Sequence, residues 1–126
     1  MLTDDIASYL QTAGIGTIGS SIFIGHMPDV PTSCIALYQY AGEAPLVVGG
    51  IENPRLTVRV RNATYLNGQN KARDVLKALH TLNEQTISAH RYLYIRAAGS
   101  IAQLGRDHEG RTLFTIDFIV TKELEG

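Results

Sequence analysis

Tryptophan is absent from the 126 residues, cysteine occurs once, proline four times, and no lysine or arginine appears before Arg55. With Cys34 alone no internal disulfide can form, so the fold must rest on a packed core. No apolar run approaches the roughly 18 residues of a membrane span, and the opening Leu2, Thr3, Asp4 and Asp5 are acidic where a secretory signal is basic. Both point to a cytoplasmic product with no membrane partner. The formal net charge of −1 argues against a duplex-reading protein, which carries clustered bases and a basic balance. What is present is enough to fold: Leu, Ile, Val and Phe number 35, above the roughly 20% of a chain below which disorder sets in. One domain spanning 1–126 removes roughly two-thirds of its unfolded surface from water with no metal needed.

The small net charge conceals an asymmetry. Residues 1 to 54 hold five acids and no base, whereas 55 to 126 hold all eleven bases and seven acids. If the fold leaves these charges on different faces, like subunits would meet head to tail, because complementary fields orient encounter and suppress wrong pairings.

Thr3, two acids, and then Ile6, Leu10 and Ala13 at helical spacing read as a helix capped by Thr3 and stopped by Gly14. Ser21 to His26 contains a short β-rich run, ended by the prolines at 28 and 31. Ser33 to Tyr40 is apolar on both parities, as suits a strand buried on both faces. Ala41 to Pro54, with three glycines, two prolines and the apolar Leu46, Val47 and Val48, reads as a long loop or projecting hairpin. In Arg55 to Arg61, Leu56, Val58 and Val60 alternate with Arg55, Thr57, Arg59 and Arg61, giving a strand with a core face and a basic face. Ala72, Val75, Leu76, Leu79 and Leu82 mark a helix from about Asn67 to Leu82 with Lys71, Arg73 and Lys77 outside. Arg91 to Ala97 alternates again, with Leu93, Ile95 and Ala97 as the apolar parity, and Arg111 to Lys122 is a long final strand. Arg106 to Gly110 reads as a turn, Asp107 bonding local backbone and Gly110 supplying positive φ. The fold class is α+β, in the order α-β-β-β-α-β-β, with two helices packed on a mostly antiparallel sheet.

Chemical motifs fail on context. Gly14-Ile15-Gly16-Thr17-Ile18-Gly19 matches a dinucleotide fingerprint, but it follows a helix and opens a strand, the reverse of the order that presents a helix N-terminus to a pyrophosphate. Cys34 lies in a buried strand and reads as a small core residue, not a nucleophile. The four histidines show no ligand spacing. Asp107 and Glu109, flanked by Arg106 and Arg111, would be held ionised instead of serving as an acid–base pair with Asp117. The sequence thus offers no catalytic residue, cofactor or metal site. The basic stripe Arg55, Arg59 and Arg61 reads either as a solvated strand face or as a charged contact with another subunit or with passing phosphate.

The chain resembles the tail-terminator and minor-capsid proteins of long-tailed bacteriophages and related prophages. The resemblance runs from the N-terminal helix through Pro28, Pro31 and Cys34-Ile35-Ala36-Leu37 to Leu56-Thr57-Val58-Arg59-Val60-Arg61. It continues through Ala72, Val75, Leu76 and Leu79 to Leu104-Gly105-Arg106-Asp107, Gly110-Arg111, Phe114 and Phe118. It implies a non-enzymatic virion protein at the head-tail junction, made in a bacterial cytoplasm. The implied protein forms a ring, usually of six copies, that caps the tail tube, meets a head-side connector and lets DNA pass without sequence-specific binding. Another head-to-tail joining role is the alternative, and a host small-molecule-binding domain the rival class. The candidate contact residues are Arg55, Arg59, Arg61, Leu46, Val47, Val48, Arg106, Asp107 and Arg111.

Overall fold

A computed structural model of the chain describes residues 2–43, 50–80 and 82–123. Helix α1 (Leu2–Thr12) turns Leu2, Ile6, Ala7 and Leu10 inward. It takes Thr3 into its own first turn, where the side chain is buried, so Thr3 does not cap it. The helix ends as the sequence suggests: Gly14 adopts φ +81°, and the Ile15 and Gly14 amides return to the Leu10 and Gln11 carbonyls at 3.0 Å each. That pair is a Schellman closure, which needs a residue at positive φ.

Seven strands follow: β1 (Ile22–Ile24), β2 (Cys34–Glu43), β3 (Ile51–Asn62), β4 (Leu82–Ile87), β5 (His90–Ala97), β6 (Ala102–Arg106) and β7 (Thr112–Glu123), with helix α2 (Tyr65–Leu79) between β3 and β4. They form one sheet in the order β1-β2-β3-β7-β5-β4, and β6 also pairs with β7. Only β1 and β2 run parallel, the other pairs being antiparallel. This is the α+β architecture expected, with β4 and β6 as two strands beyond those read from the sequence. Both are short and largely exposed, so neither carries the apolar alternation that betrays a half-buried strand.

Both helices pack on one face of the sheet. Leu37, Val58 and Ile116 stand opposite one another across β2, β3 and β7, as do Ile35, Val60 and Phe114. All six are 2% exposed or less, and α2 closes over them with Ala72, Val75 and Leu79. Burying each such aliphatic side chain is worth about 1.5–3 kcal/mol. Gly68 lets α2 approach: a Cβ there would stand 2.7 Å from Phe114 Cε2. Thr64 caps α2, its hydroxyl accepting from the Asn67 amide.

Several expectations need correction. Helix α2 stops at Leu79, and Leu82 belongs to β4, because the chain turns extended at His80. Lys71 is half-buried, its Nζ donating to the Ile15 carbonyl at 2.9 Å. On β5 the buried residues are Tyr92 and Ile95, not one alternating set, since the pairing with β7 shifts register between Tyr92 and Tyr94. An irregularity of this kind changes which parity faces inward. Of the loop or projecting hairpin expected at 41–54, residues 41–43 continue β2 and 51–54 continue β3 as antiparallel strands, and 44–49 lie outside the described residues. Pro54 is tolerated because it faces the register shift between Tyr40 and Glu43. Leu46, Val47 and Val48 lie outside the described residues. Burial of β2 on both faces holds only for Cys34 to Leu37, beyond which Gln39 and Tyr40 are exposed. Arg61 is buried, leaving the basic face of β3 to Arg55 and Arg59.

Candidate functional site: the outer sheet face

The face away from the helices is divided in two by the loop between β1 and β2. At one end this loop folds over the row Cys34, Arg61 and Leu113 and is tied there by two buried arginines. Arg61 donates through Nε to the Thr32 carbonyl at 3.0 Å and through Nη2 to those of Pro31, at 2.8 Å, and Pro28. Arg111 donates through Nη1 to the Asp29 carbonyl and through Nε to Asp107 Oδ2, both at 2.7 Å. Arg111 Nη2 also lies 3.5 Å from Asp29 Oδ1 and 3.4 Å from Glu109 Oε2, so main-chain carbonyls and three carboxylates absorb these guanidinium groups, as buried cations require. Asp107 also accepts the Glu109 and Arg111 amides through Oδ1 at 3.0 and 2.9 Å. Partial burial acts to raise its pKa, but the Arg111 and Glu109 hydrogen bonds prevail and hold the carboxyl below its ordinary value. The turn from Arg106 to Gly110 is therefore the β6–β7 hairpin connection, with Gly110 at φ +78°. Burial pushes the Cys34 thiol up, opposed by Arg61 and Arg111. A protonated, buried thiol is a poor nucleophile.

The rest of the face is open. Strand register places Tyr40, Arg55, Ile119 and Arg96 in one row, Tyr38, Thr57 and Asp117 in the next, and Ala36, Arg59, Thr115 and Ala102 beyond. Arg59 sits over the Tyr38 ring with Cζ 5.5 Å from its centroid, a cation–π geometry. Burial pushes the Tyr38 phenol up, and Arg59 opposes that shift. Thr57 donates to Asp117 Oδ1 at 2.6 Å, which fixes the acid between the two arginine rows. Tyr40 and Leu104 remain 49% exposed at the rim of a depression of about 360 Å³. Arg55 separates it from a second of about 160 Å³, lined also by Arg96, Asn53, Ile119 and Thr121. Tyrosine and arginine around scattered aliphatic groups is the composition of protein–protein contact surfaces.

Of the residues singled out from sequence, the structure thus leaves Arg55 and Arg59 on an open face, turns Arg61, Asp107 and Arg111 to holding a loop, and puts Arg106 exposed at the end of β6. Tyr38, Tyr40, Arg96, Leu104 and Asp117 join the face unforeseen. Their signal was strand parity, which selects a face only once the register between strands is known. Also unforeseen is Asp5, buried in α1, whose Oδ2 meets His90 Nδ1 at 2.8 Å and accepts from the Tyr92 hydroxyl at 2.6 Å. This network ties α1 to β5. Among the described residues no group of three or more His, Cys, Asp and Glu could hold a metal ion, and no helix is long and apolar enough to cross a membrane.

A profile of the bacteriophage tail terminator proteins matches residues 9–124. Among solved structures, a chain from the virion of a native gene transfer agent particle superposes with a TM-score of 0.76, covering 97% of this chain and 94% of that one at 14% identity. At that identity the likeness speaks for the fold. No curated protein sequence matches the chain.

Proposed function

The chain belongs to the bacteriophage tail terminator protein family, and on that premise we propose that it closes into a ring of six that caps the tail tube, halts its growth and presents a surface to the head-side connector. Family membership makes it a structural tail protein of a phage-like virion. The finer reading follows from polymer geometry. A tube of stacked rings presents at its end the same surface that recruits the next ring, so stopping it takes a competitor of matching symmetry. A small domain supplies that only as a cyclic oligomer, because head-to-tail contacts that close give a ring and those that do not give a filament.

The observation that carries the reading is the outer sheet face. Two helices cover one side of the sheet, while the other leaves Tyr38, Tyr40, Arg55, Arg59, Arg96 and Leu104 without a covering layer among the described residues. Head-to-tail closure requires a second, different surface to meet it, and the acidic first 54 residues supply complementary charge, with Asp4 exposed on α1 and Asp29, shared with Arg111 at 3.5 Å, exposed on the β1–β2 loop. Arg106 and the 44–49 segment, with its Leu46, Val47 and Val48, are proposed as further contact residues. The lumen would pass DNA without reading its sequence, as suits a near-neutral chain. Electron microscopy of the purified protein, with mass measurement, tests this: closed rings of uniform size are expected, and a monomer at every concentration would overturn it.

A further inference from the structure

Beneath the β1–β2 loop lies a pocket apart from the outer-face residues proposed above as contacts. It has a volume of about 220 Å³, and its polar lining is Lys71, Arg61, Ser21, Ser33, Cys34 and Asn62. Two of these are cations, and none is a carboxylate. Among the described residues neither Lys71 nor Arg61 meets an acid within 4.0 Å: Lys71 donates to the Ile15 carbonyl, and Arg61 to three loop carbonyls. Arg61 is 4% exposed, yet its Nη1 amino group has no acceptor among the described residues. No fully buried side-chain nitrogen or oxygen lacks a partner, so that amino group keeps contact with accessible space, and Arg61 is part of the lining of this pocket.

The other polar groups also present donors. Ser21 Oγ accepts from the Thr17 amide and keeps its own hydrogen to give. Asn62 spends its carbonyl oxygen on the Thr64 amide, leaving the amide hydrogens. Cys34 keeps its proton, as shown above. The wall is held close by Gly16, where a Cβ would fall 2.8 Å from Ser21 Oγ and 2.9 Å from Ile22 Cγ1. A partly open recess edged by two cations and several hydrogen-bond donors has its electrostatic complement in an anion. The volume falls below the roughly 300–1,000 Å³ of sites that enclose drug-sized ligands, so the anion is compact.

We propose that this pocket binds a tetrahedral oxyanion of the phosphate class, held between Lys71 and Arg61, and that its occupancy stabilises the junction of α2, the end of β3 and the β1–β2 loop. The site is independent of the ring reading and acts within one subunit. The experiment is a thermal melt and a calorimetric titration with inorganic phosphate at constant ionic strength, with chloride as reference. Phosphate raises the melting temperature and chloride does not. Lys71→Gln weakens phosphate binding about tenfold or more, as expected for loss of a charge-assisted hydrogen bond, while Lys77→Gln, exposed elsewhere on α2, leaves it unchanged. Ser33→Asp places a carboxylate at the pocket and both raises the basal melting temperature and removes the phosphate response. This second variant decides the matter should Lys71→Gln fail to fold. Equal responses to phosphate and chloride, or an undiminished phosphate response in either pocket variant, would overturn the proposal.

Discussion

Reversing the charge of Arg59 separates the fold from the assembly. In the isolated subunit its guanidinium is exposed and lies 5.5 Å from the centroid of the Tyr38 ring. An exposed cation–π contact is worth about 0.5–1 kcal/mol, and Val58 and Val60 on either side pack inward regardless. Arg59→Glu should therefore cost the monomer at most about 1 kcal/mol. That corresponds to a melting shift of a few degrees, about 2–8 °C for domains near this size. At a subunit contact the same change replaces attraction to an acidic neighbour with like-charge repulsion, which costs several kcal/mol. A loss of about 3 kcal/mol per contact would be a weakening of more than 100-fold, repeated at every junction of a closed ring. The Debye length shrinks from about 30 Å at 0.01 M salt to about 3 Å at 1 M, so the deficit should be greatest at low salt and narrow as salt is added. Sedimentation velocity from low to high ionic strength, with a melt of the same sample, is the assay. A variant that folds and assembles like the parent at every salt concentration would show that Arg59 is merely solvated and that the outer face is not the contact.

Gly68→Ala should destabilise despite a gain of about 1 kcal/mol in helix propensity, because the new Cβ would stand 2.7 Å from Phe114 in the core and overpacking costs about 1–3 kcal/mol; a raised urea midpoint would refute this packing. Leu79→Ala, at a fully buried position, should cost about 2–5 kcal/mol, and Leu76→Ala, only partly buried, clearly less; equal losses in denaturant titrations would contradict the assigned helix face. Asp107→Asn should remove part of the acid sensitivity of stability. The carboxyl pKa is depressed in the folded chain, so its contribution is full above the ordinary value of 3.8 and is lost as pH falls through the lower folded value. Melts of parent and variant from pH 7 to 2 should converge at the acid end, and a constant gap would refute the clamp.

What the sequence could reveal was decided by how each segment is buried. β3 and α2 show clean periods of two and 3.6 because each buries one face, and both were placed to within a few residues. β4 and β6 bury little, so no pattern marked them. On β5 the pattern itself misled, since the register shift after Tyr92 put Tyr92 and Ile95 inward together. Arg59 and Arg61 look alike on one parity of β3. They part because the β1–β2 loop returns over one of them with carbonyls to satisfy, a contact across about 30 residues that no local pattern encodes. The outer face was half legible: its arginines stand out in the sequence, whereas Tyr38, Tyr40, Arg96 and Leu104 join them only through strand register.

The most direct test of the central claim is the tail-length distribution, by electron microscopy, of particles assembled with the gene for this chain removed. A ring that caps the tube predicts overlong tails of broad length distribution that do not join heads, restored to uniform length by the parent chain. Tails of normal length joined normally to heads would contradict it.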